Sequence, residues 1–93
     1  MKISGKQVTA ARDLLGITQV ELGAAAGVSH MTVFRFETGQ AEPQRASLSK
    51  IQAELERRGI EFTNGTGIGV RLNYEKAAEY ARATAQARTE SSR

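Results

Sequence analysis

Side chains able to perform covalent or metal chemistry are scarce in this sequence. The 93-residue chain holds no cysteine and a single histidine, His30. A cysteine nucleophile and a thiolate metal site are thereby excluded, and one histidine cannot form a histidine metal cluster. The run Gly65-Thr66-Gly67-Ile68-Gly69 superficially resembles a phosphate-binding loop, but it lies inside a predicted β-hairpin and does not open a helix. The carboxylates are dispersed over predicted helix surfaces, so we expect no enzyme, no cofactor and no metal site.

Side chains suited to contacting nucleic-acid bases cluster around this histidine. Arg35 can donate two hydrogen bonds to O6 and N7 of guanine, and it can almost as readily bind a phosphate. His30 can donate to a base or to a phosphate. Met31 and Phe34 can contact the methyl group of thymine, although Phe34 can equally pack against its own bundle or hairpin. Together with Thr32, these residues occupy the outward face of a predicted helix.

Other residues are placed where a phosphate group could bind. Gln19 begins a predicted helix, where backbone N–H groups and a side-chain amide can hold a phosphate; the alternative is a solvated first-turn residue. The segment Thr38–Gln40 begins the loop after the next helix, where backbone N–H groups can meet a phosphate. Arg45 and Lys6 can add charge-based affinity, or they are solvated surface charges.

Four helices are predicted between residues 4 and 59. Capping boxes starting at Ser4 and Thr18 open the first two helices, Ser29 can cap the third, and Pro43 suits the first turn of the fourth. Glycines at positions 16, 27, 39 and 59 end them. The predicted inward faces are Val8, Ala11 and Leu15 in the first helix; Leu22, Ala25 and Ala26 in the second; Val33 and Phe36 in the third; and Leu48, Ile51 and Leu55 in the fourth.

The second and third predicted helices carry the residue types needed where two helices meet at a tight angle. Counting from Gln19, Leu22 packs inward one turn along, and Gly23 is small enough for the next helix to cross closely. Gly27 makes the turn, and Val28 fills the elbow between the helices. These positions together predict a helix-turn-helix. The alternative is a helical hairpin with no role in DNA binding.

The segment 16–43 resembles the Cro and phage-repressor-like (XRE-type) family of helix-turn-helix transcriptional regulators. The matching residues are Gly16-Ile17-Thr18-Gln19, Leu22, Gly27-Val28-Ser29, Thr32-Val33, Arg35-Phe36-Glu37-Thr38-Gly39 and Pro43. The resemblance covers roughly residues 4–59. It implies a mainly α fold, a lambda-repressor-like bundle of four or five helices, with the helix from Ser29 to Thr38 in the major groove. It also implies that a dimer binds palindromic operators.

The resemblance also implies roles for individual residues. Gln19 holds a phosphate, and Arg12 forms a buried or half-buried ion pair with Glu37 that fixes the recognition helix. Departures from the family pattern are Gly23, Thr38 and Phe34, where alanine, asparagine and a polar residue are usual. The residues assigned to DNA contact are Gln19, Ser29, His30, Met31, Thr32, Phe34, Arg35, Thr38 and Arg45.

Residues 60–93 are predicted to extend the DNA-binding domain of residues 1–59. Period-two alternation around the turn 64–67 predicts a β-hairpin, and Asn73 caps an alanine-rich helix from about Tyr74 to Arg88. An isolated hairpin is marginal in water, so this one either lies on the bundle or extends a sheet across a dimer axis. The helix can likewise pack across the dimer or bind a partner protein, as antitoxin tails do. The assigned dimer or partner surface is Ile60, Phe62, Val70, Leu72 and Tyr74.

Size and charge set the remaining expectations. The net charge of +3 tilts toward a polyanionic partner without establishing one. A domain this small is only marginally stable, so dimerisation is the expected additional source of stability. No apolar run is long enough for a signal peptide or a membrane span, which predicts a cytoplasmic protein. We expect a homodimeric repressor that occludes polymerase; the alternatives are an antitoxin-type regulator and a pure protein-interaction module.

Overall fold

Five helices and one β-hairpin follow one another along the chain. The computed structural model describes residues 2–91, with side chains described up to residue 87. The elements are α1 (Gly5–Leu15), α2 (Gln19–Ala26), α3 (His30–Glu37), α4 (Arg45–Arg57), β1 (Ile60–Thr63), β2 (Gly69–Leu72) and α5 (Tyr74–Ser91). The prediction of a mainly α fold, with a helix-turn-helix, a hairpin and a final helix, is confirmed. Positions 92 and 93 of the predicted extension lie outside the described residues. No helix of the described part is long and apolar enough to cross a membrane.

Local capping chemistry defines the ends of α1 and α2. The Ser4 hydroxyl accepts from the backbone N–H of Gln7 at 3.2 Å, and the Gln7 side chain accepts from the Ser4 N–H at 2.9 Å. Thr18 and Glu21 make the same reciprocal pair at 3.0 and 3.1 Å. Glycines in the left-handed conformation follow both helices, at positions 16 and 27. Both predicted capping boxes are therefore confirmed.

The start of α4 differs from the prediction. The helix begins at Arg45, with Gln44 as an extended cap residue that makes no side-chain capping bond. Pro43 lies outside the helix, so the expectation that it occupies the first turn is wrong. Proline is tolerated at a first helical position but does not initiate a helix by itself.

One hydrophobic core joins the helices. Its buried members are Ile3, Val8, Ala11, Leu22, Val33, Phe36, Ile51, Leu55, Ile60 and Phe62. Ala25 was expected on the inward face of α2, but it is exposed. The next helix approaches α2 closely at Gly23, so the inward face of α2 consists of Leu22, Gly23 and Ala26. Ala25 lies on the opposite flank of Leu22 and therefore faces solvent.

The hairpin belongs to this core. Its strands pair antiparallel, with Ile60 opposite Leu72 and Phe62 opposite Val70. Ile60 and Phe62 are only 2% and 8% exposed, and Val70 and Leu72 pack partly buried against them. The assignment of these four residues to a dimer or partner surface is therefore wrong for Ile60 and Phe62, because the protomer's own bundle covers them. The predicted boundary at Gly59 divides the chain in sequence. The hairpin after it nevertheless packs into the same hydrophobic core as the helices before it.

A buried amide fastens the hairpin to α1. Nε2 of Gln7 lies within hydrogen-bond distance of the carbonyl oxygens of Thr63 (3.2 Å) and Gly69 (3.1 Å) and of Oδ1 of Asn64 (2.9 Å). Gln7 is 3% exposed, so these bonds form away from water, where an unpaired amide would be costly. The residue that caps α1 through its oxygen thus also binds the turn end of the hairpin through its nitrogen.

The last helix packs on the end of α4 along one edge of its described part. Oδ1 of Asn73 accepts from the Lys76 N–H at 3.1 Å, which confirms the predicted cap. The guanidinium groups of Arg57 and Arg58, at the end of α4, lie 4.9 and 5.0 Å from the ring centroid of Tyr80. Along the part of α5 with described side chains, only Ala77, Tyr80 and Thr84 are half-buried; the remaining residues are exposed.

Candidate nucleic-acid interface

The outward face of α3 is open. Val33 and Phe36 are buried beneath it, and His30, Met31 and Arg35 are exposed. The same helix therefore has one side fixed by the core and one side bearing an imidazole, a thioether and a guanidinium. An α-helix of this kind fits the major groove of B-DNA, where base edges offer acceptors and thymine methyl groups.

Thr32 and Phe34 lie at the margins of this face. Both are half-buried, so part of each side chain is covered by the protein itself. The packing alternative for Phe34 thus holds for part of its ring, and the remainder is accessible. Their assignment to DNA contact stays a prediction.

The angle between α2 and α3 depends on close backbone approach. A Cβ added at Gly23 would lie 2.8 Å from the Val28 carbonyl oxygen and 3.2 Å from the His30 nitrogen, which leaves no room for a side chain without a shift. The Val28 N–H donates to the Gly23 carbonyl at 2.9 Å, closing the turn. Gly27 adopts φ +75°, a conformation that other residues rarely tolerate. The geometry of a helix-turn-helix follows from these contacts.

A buried ion pair holds the end of α3 against α1. Nε and Nη2 of Arg12 donate to the two carboxylate oxygens of Glu37, each at 2.7 Å. Arg12 also donates through Nη1 to the Ile17 carbonyl at 3.0 Å. The Glu37 side chain is 4% exposed and that of Arg12 is 15% exposed. The structure thus brings together the two residues that the resemblance paired, in the bidentate geometry that makes such pairs strong.

Two further donors complete the surroundings of the Glu37 carboxylate. Oγ1 of Thr9 donates to it at 2.9 Å, and Nε2 of Gln19 donates at 3.1 Å. Burial works against ionisation, but the hydrogen bonds from Arg12, Gln19 and Thr9 outweigh it and hold the pKa of Glu37 below its ordinary value. The hydrogen bond with Glu37 likewise raises the pKa of Arg12. Glu37 therefore stays ionised and joins α1, the start of α2 and the end of α3.

Sequence reasoning missed part of this arrangement. Thr9 carried no signal in the helical pattern, because a threonine on a helix usually bonds within its own helix, and the Gly5 carbonyl oxygen indeed lies 3.2 Å from this hydroxyl as the competing acceptor. Gly5 was missed as well: a Cβ there would lie 2.1 Å from the Phe36 carbonyl oxygen, so α1 and α3 cross at this glycine. Gln19, assigned to a phosphate, gives one of its donors to Glu37 in this structure, which fixes its amide at the start of α2.

The two helix starts near this face are capped differently from one another. Oγ of Ser29 accepts from the Met31 N–H at 3.1 Å, which leaves its hydroxyl proton able to serve another acceptor. Arg45 begins α4, where Gln44 contributes no side-chain cap, and its side chain is exposed. Lys6 is exposed on α1. These positions suit phosphate contact through charge or through unpaired backbone donors.

The loop after α3 has its backbone donors bonded within the chain. The N–H groups of Thr38, Gly39 and Gln40 donate to the carbonyls of Phe34, Phe36 and Arg35 at 3.0, 3.2 and 2.8 Å. The end of α3 thus already uses these backbone donors, and phosphate contact at this loop stays a prediction. The Thr38 hydroxyl also donates to the Phe34 carbonyl, at 2.9 Å, so it would have to rotate to reach a phosphate.

Comparison with known proteins agrees with this geometry. A search of curated proteins found no significant match. The sequence profile of a helix-turn-helix family matches residues 8–61, a stretch that contains α1 from Val8 onward, α2, α3, α4 and the first residues of β1. This match covers more than half of the chain. The chain therefore belongs to the Cro/C1-type (XRE) helix-turn-helix family of DNA-binding regulators.

Proposed function

We propose that this protein is a sequence-specific repressor that binds a palindromic double-stranded DNA operator as a homodimer. The observation that carries the proposal is the outward face of α3, where His30, Met31 and Arg35 are exposed on a helix whose other side is buried. Readout of sequence requires such side chains to arrive at base edges in a fixed orientation. The four hydrogen bonds that Glu37 accepts supply that fixation at the end of the helix.

The proposed division of roles follows the chemistry of each position. Arg35 donates twice to a guanine, a contact worth roughly 1–3 kcal/mol of discrimination between bases. Met31 and the accessible part of Phe34 contact thymine methyl groups. Gln19 and Arg45 bind phosphates, which sets register and affinity without reading sequence. Repression then results from occupancy, since a bound dimer covers DNA that polymerase would otherwise contact.

The test is a selection of genomic fragments by the purified protein, followed by sequencing. We expect enrichment of a palindrome whose half-sites lie about one helical turn apart. The Arg35→Ala variant should lose the enrichment of one base position in each half-site. Arg71→Ala is the matched control, because Arg71 is also exposed but lies on the hairpin and pairs there with Glu61. It should enrich the same palindrome as the unmodified protein.

Other outcomes contradict parts of the proposal. Enrichment of an asymmetric single site would refute the dimeric operator. A folded protein that enriches no sequence, even at low salt, would refute sequence-specific DNA binding altogether.

A further inference from the structure

The turn of the β-hairpin contains the only Asn-Gly pair in the sequence, Asn64-Gly65. Both residues are exposed. Residues 65–67 make no hydrogen bond within the part of the chain that the structure describes. A Cβ added at Gly65 would meet no described atom within 4 Å, and the backbone of this glycine lies outside the left-handed region. The backbone nitrogen of Gly65 therefore lies in an exposed and uncrowded segment, without a hydrogen-bond partner there.

The side-chain amide of Asn64, next to this nitrogen along the chain, is held at both of its ends. Its Oδ1 accepts from Nε2 of Gln7 at 2.9 Å, and its Nδ2 donates to the carbonyl oxygen of Lys2 at 2.9 Å. Gln7 is buried, so its donor is fixed in position. A fixed donor at an amide oxygen stabilises the negative charge that develops on that oxygen when a nucleophile attacks the amide carbon. The amide of Asn64 is thus prepared for attack by a neighbouring nitrogen.

We propose that Asn64 is a site of covalent self-modification, at which the backbone nitrogen of Gly65 converts the side-chain amide into a carboxylate. Hydroxide removes the proton from the Gly65 N–H, and the nitrogen forms a bond to Cγ of Asn64. The bond between Cγ and Nδ2 breaks, and Nδ2 takes up a proton from water and leaves as ammonia. The product of this step is a cyclic imide formed by the two adjacent residues.

Water then opens the imide at one of its two carbonyl groups. Addition at the side-chain carbonyl breaks the new bond to nitrogen and leaves an aspartate. Addition at the main-chain carbonyl breaks the original peptide bond and leaves an isoaspartate, whose main chain runs through Cβ and Cγ. Either product carries one additional negative charge, so the net charge of the chain falls by one from +3. Water is the only reactant that the conversion consumes.

The second asparagine of the chain, Asn73, provides an internal comparison. Its side-chain amide also makes two hydrogen bonds, each of 3.1 Å. Its backbone, however, is bonded on both sides: its N–H donates to the Gly59 carbonyl at 2.8 Å, and its carbonyl accepts from the Ala77 N–H at 2.9 Å. The residue that follows is Tyr74, whose side chain crowds the nitrogen that would attack. Ring closure at Asn73 would disturb the start of α5, so we expect the modification at Asn64 alone.

The modification changes how the start of the chain is attached to the hairpin. The Nδ2 donor of Asn64 is lost, and a carboxylate oxygen then faces the carbonyl oxygen of Lys2, which it repels. The Lys2 ammonium still lies 2.8 Å from a carboxylate oxygen of Glu42, but both side chains of this ion pair are more than half exposed. Exposed pairs of this kind contribute little to stability. We therefore expect the residues around Lys2 to be released from the turn of the hairpin.

The test is incubation of the purified full chain in warm, mildly alkaline buffer, followed by tryptic digestion and mass spectrometry that separates aspartate from isoaspartate. Cleavage after Arg58, Arg71 and Lys76 puts the two asparagines in different peptides, 59–71 and 72–76. Peptide 59–71 should acquire the mass of the carboxylate forms, at a rate proportional to the hydroxide concentration, while peptide 72–76 should keep its mass. A synthetic peptide of residues 59–71 in the same buffer shows that the conditions support the chemistry.

Two glycine variants identify the attacking nitrogen. Gly65→Ala should show no conversion over the time in which the unmodified chain converts half of its Asn64, because the added methyl group crowds the nitrogen and restricts its backbone. Gly67→Ala is the matched control, since a Cβ there also meets no described atom within 4 Å but lies two residues farther along the turn. It should convert at the rate of the unmodified chain. Both variants should keep the circular dichroism spectrum of the unmodified protein.

Hydrogen exchange tests the structural consequence. Ion-exchange chromatography separates the modified chains by their additional negative charge. Amides of residues 2–8 should exchange faster in the modified chains than in fresh protein. The variant Asn64→Asp should show the same faster exchange before any incubation, because it also lacks the donor to Lys2.

Three results would overturn the proposal. The first is a chain whose Asn64 stays unchanged while the synthetic peptide converts, which would show that the folded turn prevents the reaction. The second is conversion of Gly65→Ala at the rate of the unmodified chain, which would exclude attack by the Gly65 nitrogen. The third is unchanged exchange at residues 2–8 in the modified chains, which would refute the release of the start of the chain. None of these measurements involves DNA, so the proposed function and the modification are tested separately.

Discussion

The ion pair between Arg12 and Glu37 should dominate the energetic coupling between α1 and the recognition helix α3. Replacing Glu37 by Gln keeps the shape of the side chain but leaves the Arg12 guanidinium, 15% exposed, without its counter-charge. Removal of one partner from a buried pair typically costs about 3–5 kcal/mol of stability, because the remaining charge is uncompensated. We expect a value near the lower end, since the partial exposure of Arg12 lets water reach the guanidinium.

The assay is urea unfolding of single and double variants followed by circular dichroism. Arg12→Met should be destabilised at least as strongly as Glu37→Gln, because it strands a nearly buried carboxylate with only the donors of Thr9 and Gln19. The double variant Arg12→Met with Glu37→Leu removes both charges. Its stability should lie closer to that of the unmodified protein than either single variant does. A double variant as unstable as the sum of the two single losses would refute the coupling.

The same pair predicts a dependence of stability on acid. The folded pKa of Glu37 is lowered relative to its ordinary value of 4.5, so its stabilising effect is present above that value. This effect is lost as the pH falls through the lowered pKa of the folded state, because the unfolded chain takes up the proton more readily. The difference in the free energy of unfolding between the unmodified protein and Glu37→Gln should therefore decrease as the pH is lowered from about 5 to the pH at which the protein unfolds. A difference that is constant across this range would show that Glu37 does not titrate with the predicted sign.

Three further predictions concern other contacts. Gly5→Ala should destabilise the fold by about 1–3 kcal/mol, because its Cβ would lie 2.1 Å from a backbone oxygen of α3, whereas Gly65→Ala, which meets open space, should change urea unfolding little. Gln7→Glu should destabilise the hairpin, because it replaces a donor that faces three acceptors with another acceptor. Hydrogen exchange at the amides of β1 and β2 should become faster, and unchanged exchange would contradict this prediction. Arg45→Ala should reduce the salt dependence of DNA binding by about one unit of slope while keeping the selected sequence, in contrast to Arg35→Ala; a shifted sequence preference would assign Arg45 to base readout.

Features determined within one or two helical turns could be predicted from the sequence. The capping boxes at Ser4 and Thr18 depend on residues three apart, and the turn between α2 and α3 depends on a short glycine-containing segment. Each is specified by the chemistry of neighbouring residues and does not depend on the rest of the fold. The outward face of α3 could be identified for the same reason, because the helical period places it opposite the buried positions Val33 and Phe36.

Features determined by contacts between distant segments could not be predicted in this way. The alternating pattern of the hairpin specifies that Ile60 and Phe62 share a face, but it does not specify which surface covers that face. The role of Gln7 at the hairpin, 56 to 62 residues away along the chain, leaves no periodic signal. The crossing of α1 and α3 at Gly5 leaves no such signal either, because a glycine in the first turn of a helix does not indicate which helix packs against it.

The contacts separate the positioning of the recognition helix from the attachment of α5. Glu37 ties α3 to α1 and to the start of α2, and α5 makes none of these bonds. It is joined instead through the Gly59 carbonyl, which accepts from the Asn73 N–H at 2.8 Å, and through the packing of Tyr80 on the arginines that end α4. These contacts of α5 involve none of the residues that hold α3 against α1 and α2. We therefore expect substitutions at exposed positions of α5, such as Arg82→Glu, to leave the selected half-site sequence unchanged, and a changed sequence would contradict this separation.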